Sequence, residues 1–137
     1  MNPASKPFHQ LVWIDHQTAH LYGVTRDALI ELAVIHAPDE GRGHVHHKAG
    51  TMGPGHVAAP QSFLNQVATA LLDAREILIV GPADAKHSLK KHIVLNMPLL
   101  DKRVIGVKPM DKCGVGELQV FASQFFRQTD RMQPSPS

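Results

Sequence analysis

A single cysteine, Cys113, stands among the 137 residues, so no disulfide can form within the chain. Aromatic residues make up only 5%, too few for a long platform on which bases could stack. No apolar run approaches the roughly 20 residues that cross a bilayer, and the opening MNPASKPF lacks the apolar core of a signal peptide. Charge of one sign is scarce as well, with a formal net charge of +2. These absences argue against a secreted disulfide scaffold and a membrane protein. They leave the expectation of a soluble protein of the reducing cytoplasm with no membrane partner.

What is present suffices for a core. Hydrophobic residues form 43% of the chain, enough at this length for one domain without disulfide or metal staples. The stretch from Glu76 to Ile93, EILIVGPADAKHSLKKHI, organises the rest. Ile77, Leu78, Ile79 and Val80 are a continuous apolar run closed by Gly81-Pro82, which predicts a central strand buried on both faces. Asp84 then stands where it can cap a helix, and Ala85, Leu89 and Ile93 recur at helical spacing. A strand that turns directly into a helix leaves the helix N-terminus at the strand's carboxyl end, where open α/β sheets tend to bind ligands.

Around this unit the chain reads as alternating strands and helices. Strands are predicted over 8–14, 18–24 and 28–36, the first two as a hairpin and all three as an antiparallel meander. Residues 1–7 read as a flexible arm. Residues 38–59 hold five glycines and no sustained period, so they read as one long loop. Pro60 suits a helix start, with Phe63, Val67, Ala70, Leu71 and Ala74 on one face. Asn96-Met97-Pro98 stops the second helix, 103–107 is a further strand, and Val115, Leu118, Phe121, Ala122 and Phe125 mark a last helix. The order βββαβαβα predicts one α/β domain over 8–127, with a five-stranded mixed sheet, a ribonuclease H-like arrangement and a disordered tail over 128–137.

Charge is uneven along this order. Residues 86–112 carry seven basic and two acidic side chains, whereas residues 1–85 carry five and eight. Lys86, Lys90 and Lys91, early in the second helix, together with Arg42 and Lys48 of the loop, are the candidate contacts for RNA phosphates. The plainer alternative is a solvated lysine face.

Four histidines, His44, His46, His47 and His56, fall within thirteen residues of the same loop. Imidazole nitrogens suit zinc, copper or nickel, and these four are the candidate metal ligands; their spacing matches no closed structural site. A segment that orders on RNA is the second reading and a plain disordered loop the third. Asp15 ends the first strand where a ribonuclease H-like nuclease places a metal carboxylate, but no further carboxylates are placed to converge with it. A turn that fixes the first hairpin explains Asp15-His16 better. Trp13 and Tyr22 could serve as base-stacking platforms, but they lie within strands and read better as core; Cys113 sits beside Lys112, whose charge could lower a thiol pKa, and no catalytic role is assigned to it.

The segments LVWIDHQTAHLYGV, ILIVGPADAKHSLKKHI and DKRVIGVKPMDKCGVGELQVFASQFF resemble the middle domain of archaeal and eukaryotic-type peptide-chain release factors, and most of all the small bacterial single-domain relatives called translational machinery proteins. The likeness spans roughly residues 10 to 126. In that family the long loop before the first helix carries a Gly-Gly-Gln motif that acts on peptidyl-tRNA. Here the corresponding stretch is EGRGHVHHKAGTMGPGHV, and Gly-Gly-Gln occurs nowhere in the chain. The resemblance therefore implies a non-catalytic translation-associated domain that binds RNA or the ribosome, with no cofactor. A hydrolase or nuclease using the His-rich loop with a metal, and a protein-interaction module, are the alternatives.

Overall fold

The computed structural model describes residues 9–25, 27–38 and 59–132. Among them the chain forms β1 (His9–Ile14), β2 (Thr18–Val24), β3 (Leu29–His36), α1 (Gln61–Ala70), β4 (Glu76–Gly81), α2 (Ala85–Asn96), α3 (Pro98–Asp101), β5 (Val104–Pro109) and α4 (Val115–Met132). The expected arm 1–7 and nearly all of the expected loop 38–59 lie outside the described residues.

The five strands form one mixed sheet in the order β3-β2-β1-β4-β5. The meander β1–β2–β3 is antiparallel, whereas β4 runs parallel to both β1 and β5. The middle place in the sheet therefore belongs to β1, with β4 beside it. Both are interior strands, which is why Ile77, Leu78, Ile79 and Val80 are all fully buried.

Strand alternation divides these side chains between two cores. Ile77 and Ile79 join Val12, Ile14 and Leu21 under α1 and α2, where Phe63, Val67, Leu89 and Ile93 close the layer. Leu78 and Val80 join Leu11 and Trp13 under α4, against Leu118, Ala122 and Phe126. The product is three layers, helix on sheet on helix.

The turns account for the limits of the elements. Asp15 Oδ1 accepts from the backbone N–H groups of Gln17 at 2.9 Å and Thr18 at 2.8 Å, an Asx turn that sets the β1–β2 hairpin. At Gly81 an added Cβ would stand 2.1 Å from the Ile14 carbonyl oxygen, so only glycine lets the ends of β1 and β4 approach this closely. Helix α1 ends at Ala70, earlier than its apolar period implies, because Leu71 and Ala74 are buried through a turn instead. Arg103 fixes that turn by donating to the carbonyl oxygens of Leu72 at 3.0 Å and Ala74 at 2.9 Å.

Three further expectations change. Asp84 occupies the N-cap position of α2 but makes no capping bond through its side chain; its carbonyl oxygen accepts from His87 and Ser88 instead. Pro98 does not only stop α2, since its fixed φ and missing N–H also suit the first position of a helix, and α3 starts there. Helix α4 continues to Met132, past the domain end expected at 127. Residues 128–132 contain no helix breaker, and the first backbone restriction downstream is imposed by Pro134.

Candidate nucleic-acid interface

The basic segment separates into side chains the fold uses and side chains it leaves in solvent. Lys86 was expected on the open face of α2, yet it is only 5% exposed, and its ammonium donates to the Ala83 carbonyl oxygen. Its position explains the burial, because Lys86 stands three and seven residues before Leu89 and Ile93, on the buried face of the helix. Lys90 is half-buried and pairs with Asp101 at 2.5 Å, tying α2 to α3. Arg103 is spent on the two carbonyl groups described above. Lys108 is exposed, with its ammonium 5.9 Å from the centre of the Phe125 ring.

Lys91, Lys102 and Lys112 remain exposed, and among the described residues none of them has an ion pair. Lys102 precedes β5 and Lys112 follows it, so the six-residue strand places their backbones about 20 Å apart. Lys91 lies on α2, which packs over this edge of the sheet. The cations therefore stand apart, two beyond opposite ends of an outer strand and one beside the cleft between α1 and α2, and do not converge. Such spacing suits a polyanionic strand better than one small anion. The expected partners Arg42 and Lys48 lie outside the described residues.

The same holds for His44, His46, His47 and His56. Among the described residues no three His, Cys, Asp or Glu side chains stand together as a metal site. Asp15 is engaged with two backbone N–H groups, as the turn reading requires. Trp13 is buried, and Tyr22 is half-buried and stacks on His20 with ring centres 6.3 Å apart, so both serve packing. Burial, with smaller effects from Glu31 and Cys113, raises the Tyr22 pKa. Burial first, and then the Glu117 carboxylate, push the Cys113 thiol pKa up, opposite to the lowering that Lys112 could cause.

The sequence reading missed one polar feature entirely. A cleft between α1 and α2 is bordered by Gln61, Ser88, Lys91, His92 and Asn96. Within it His92 is 8% exposed, and its Nδ1 lies 3.1 Å from Gln61 Oε1. The pointer was available in the sequence, since His92 stands three residues after Leu89 and seven after Ala85, on the buried face.

No family model and no curated protein matches the chain. Solved structures do. The Pelota protein of Thermoplasma acidophilum matches with a TM-score of 0.58 at 16% identity, over 88% of this chain and 33% of its own. Dom34 of S. cerevisiae, described as a translation termination-like factor involved in RNA quality control pathways and interacting with Hbs1, matches with 0.56 at 14% identity, over 90% and 36%. The archaeal translation termination factor aRF1 matches with 0.51 at 12% identity, over 90% and 38%. The chain thus spans about a third of the length of these proteins, and at such identities the likeness is one of fold. A domain fold of release-factor-like proteins, which the sequence resemblance implied, is the fold this chain has.

Proposed function

We propose that this chain is a translation-associated domain that binds RNA or the ribosome and does not release peptide by Gly-Gly-Gln chemistry. The observation that carries the reading is the fold likeness itself: about 90% of the chain matches one domain's worth of Dom34 and of a termination factor. The strand order, with its antiparallel meander and two parallel strands, supports a ribonuclease H-like arrangement for that domain. Gly-Gly-Gln is absent from the sequence, so the residues that remain to act are those that bind. Lys91, Lys102 and Lys112 supply a track of exposed positive charge for a phosphate backbone. The proposed setting is the cytoplasm, where ribosomes are; no helix among the described residues is long and apolar enough to cross a membrane.

The test is sedimentation of purified ribosomes with the protein at low and high salt. The reading expects the protein in the ribosome pellet at low salt and in the supernatant at high salt. A protein that stays in the supernatant at both salts refutes it. A second reading, a protein-interaction module, is favoured by one observation: Leu95 and Leu99, at the end of α2 and on α3, are 68% and 75% exposed. Retention of ribosome binding by a Leu99→Ser variant separates the two readings, because an apolar docking face would be lost.

A further inference from the structure

The cleft between α1 and α2 encloses about 210 Å³. That is smaller than the roughly 300 Å³ at which pockets for whole small molecules begin, so it suits one group of something larger. Its walls are of two kinds. Leu64 and Leu95 contribute apolar surface, while Gln61, Ser88, His92 and Asn96 contribute hydrogen-bonding groups, and no carboxylate among the described residues borders it. Among the described residues that line it, Lys91 is the one cation.

His92 is the centre of this arrangement. Its Nδ1 lies 3.1 Å from Gln61 Oε1 and 3.3 Å from Asn96 Nδ2. As an N–H, Nδ1 donates to the Gln61 carbonyl oxygen; as a lone pair, it accepts from the Asn96 amide; it cannot do both. Asn96 also donates to the His92 backbone carbonyl oxygen at 3.0 Å, so the tautomer with Nδ1–H toward Gln61 serves all three groups. Nε2 is then a buried acceptor with no partner among the described residues. A buried polar atom in that state lacks the hydrogen bond such atoms almost always have.

The occupant has to satisfy both kinds of wall. A phosphate alone would leave the leucines uncovered, and an aliphatic side chain would leave His92 and the amides unanswered. A planar heterocycle with donors and acceptors along its edge does both, which is how unpaired bases are held by proteins. We propose that the cleft binds one unpaired nucleotide, with its base on Leu64 and Leu95, its edge read by Gln61, Ser88, His92 and Asn96, and its phosphate on Lys91. The proposal rests on the RNA-binding reading above and names the nucleotide-sized site within it. The nucleotide can be free or part of an RNA, and the experiment separates these sources.

The imidazole nitrogen resonances of His92 are followed by NMR while AMP, GMP, CMP or UMP is added, and in a second arm while single-stranded RNA decamers are added. Binding in the cleft shifts the Nε2 resonance, and one base is preferred over the others by about tenfold or more. The double change Ser88→Ala, Asn96→Ala removes that preference, and Lys91→Ala weakens all decamers alike. Leu95→Trp, at an exposed position bordering the cleft, blocks occupancy; its unfolding midpoint shows that the fold is kept. RNA binding with unchanged His92 resonances, and with Leu95→Trp binding as the parent does, overturns the cleft and leaves the general function standing. Mononucleotides that shift His92 when neither RNA nor ribosomes are bound keep the cleft as a free-nucleotide site and overturn the general function. No binding in any arm overturns both.

Discussion

Replacing Lys86 with glutamate tests whether α2 presents a solvated lysine face or uses one of its lysines to hold the fold together. The side chain is 5% exposed and donates to the Ala83 carbonyl oxygen. Glutamate would set a carboxylate against that oxygen, acceptor against acceptor, and leave a buried charge with no partner. Stranding a buried charge costs about 3 to 5 kcal/mol; because Ala83 is itself exposed, the lower end, about 3 kcal/mol, applies. Methionine keeps the aliphatic stem packed, and the Ala83 oxygen can turn to water, so Lys86→Met costs about 1 kcal/mol. With a urea dependence of about 1.5 kcal/mol per molar, the glutamate variant unfolds about 2 M earlier and the methionine variant less than about 1 M earlier. Circular dichroism and the fluorescence of Trp13, the sole tryptophan and a buried one, follow the transition. A Lys86→Glu variant within about 0.5 kcal/mol of the parent would mean that the side chain is solvated and the burial argument is wrong.

Three further outcomes follow from the same geometry. Leu78→Ala, at a fully buried position of β4 beneath α4, should cost about 2 to 5 kcal/mol in chemical denaturation; a loss under about 0.5 kcal/mol would misplace the strand. Cys113 should be alkylated slowly at neutral pH, with an ionisation midpoint above its ordinary 9.0, because burial and Glu117 both disfavour the thiolate. Glu117→Gln should move that midpoint down, and a midpoint at or below the ordinary value in the parent would contradict the assignment. Purified protein should not hydrolyse peptidyl-tRNA on programmed ribosomes; hydrolysis abolished by changing His46 or His47 would make the protein an enzyme that uses its loop.

Much of the fold was legible because its elements carry one-dimensional patterns. The run Ile77 to Val80 is apolar without alternation, rich in isoleucine and valine and closed by Gly81-Pro82, as a strand covered on both faces reads. Ala85, Leu89 and Ile93 fix the buried face of α2 by spacing alone, and all three are fully buried. The candidate site was less legible, because charge counted along a sequence does not show which way a side chain points. Lys86 and His92 share the buried face with Leu89, and their polar character hid what their spacing showed. Lys90 and Arg103 are engaged by Asp101 and by the carbonyl groups of Leu72 and Ala74, partners up to 31 residues away that no local pattern reveals. Asp15 could be read correctly because its partners are two and three residues away.

The central claim, that an exposed track of lysines brings this domain to RNA or the ribosome, is tested most directly by the salt dependence of ribosome binding. The parent is compared with a variant carrying Lys91→Glu, Lys102→Glu and Lys112→Glu, all at exposed positions and therefore compatible with the fold. Each phosphate contact on a single strand contributes about 0.7 log units of affinity per log unit of salt. Loss of three should flatten the slope by about 2 and weaken binding at low salt. A folded variant that sediments with ribosomes as the parent does, with the same salt slope, would contradict the account.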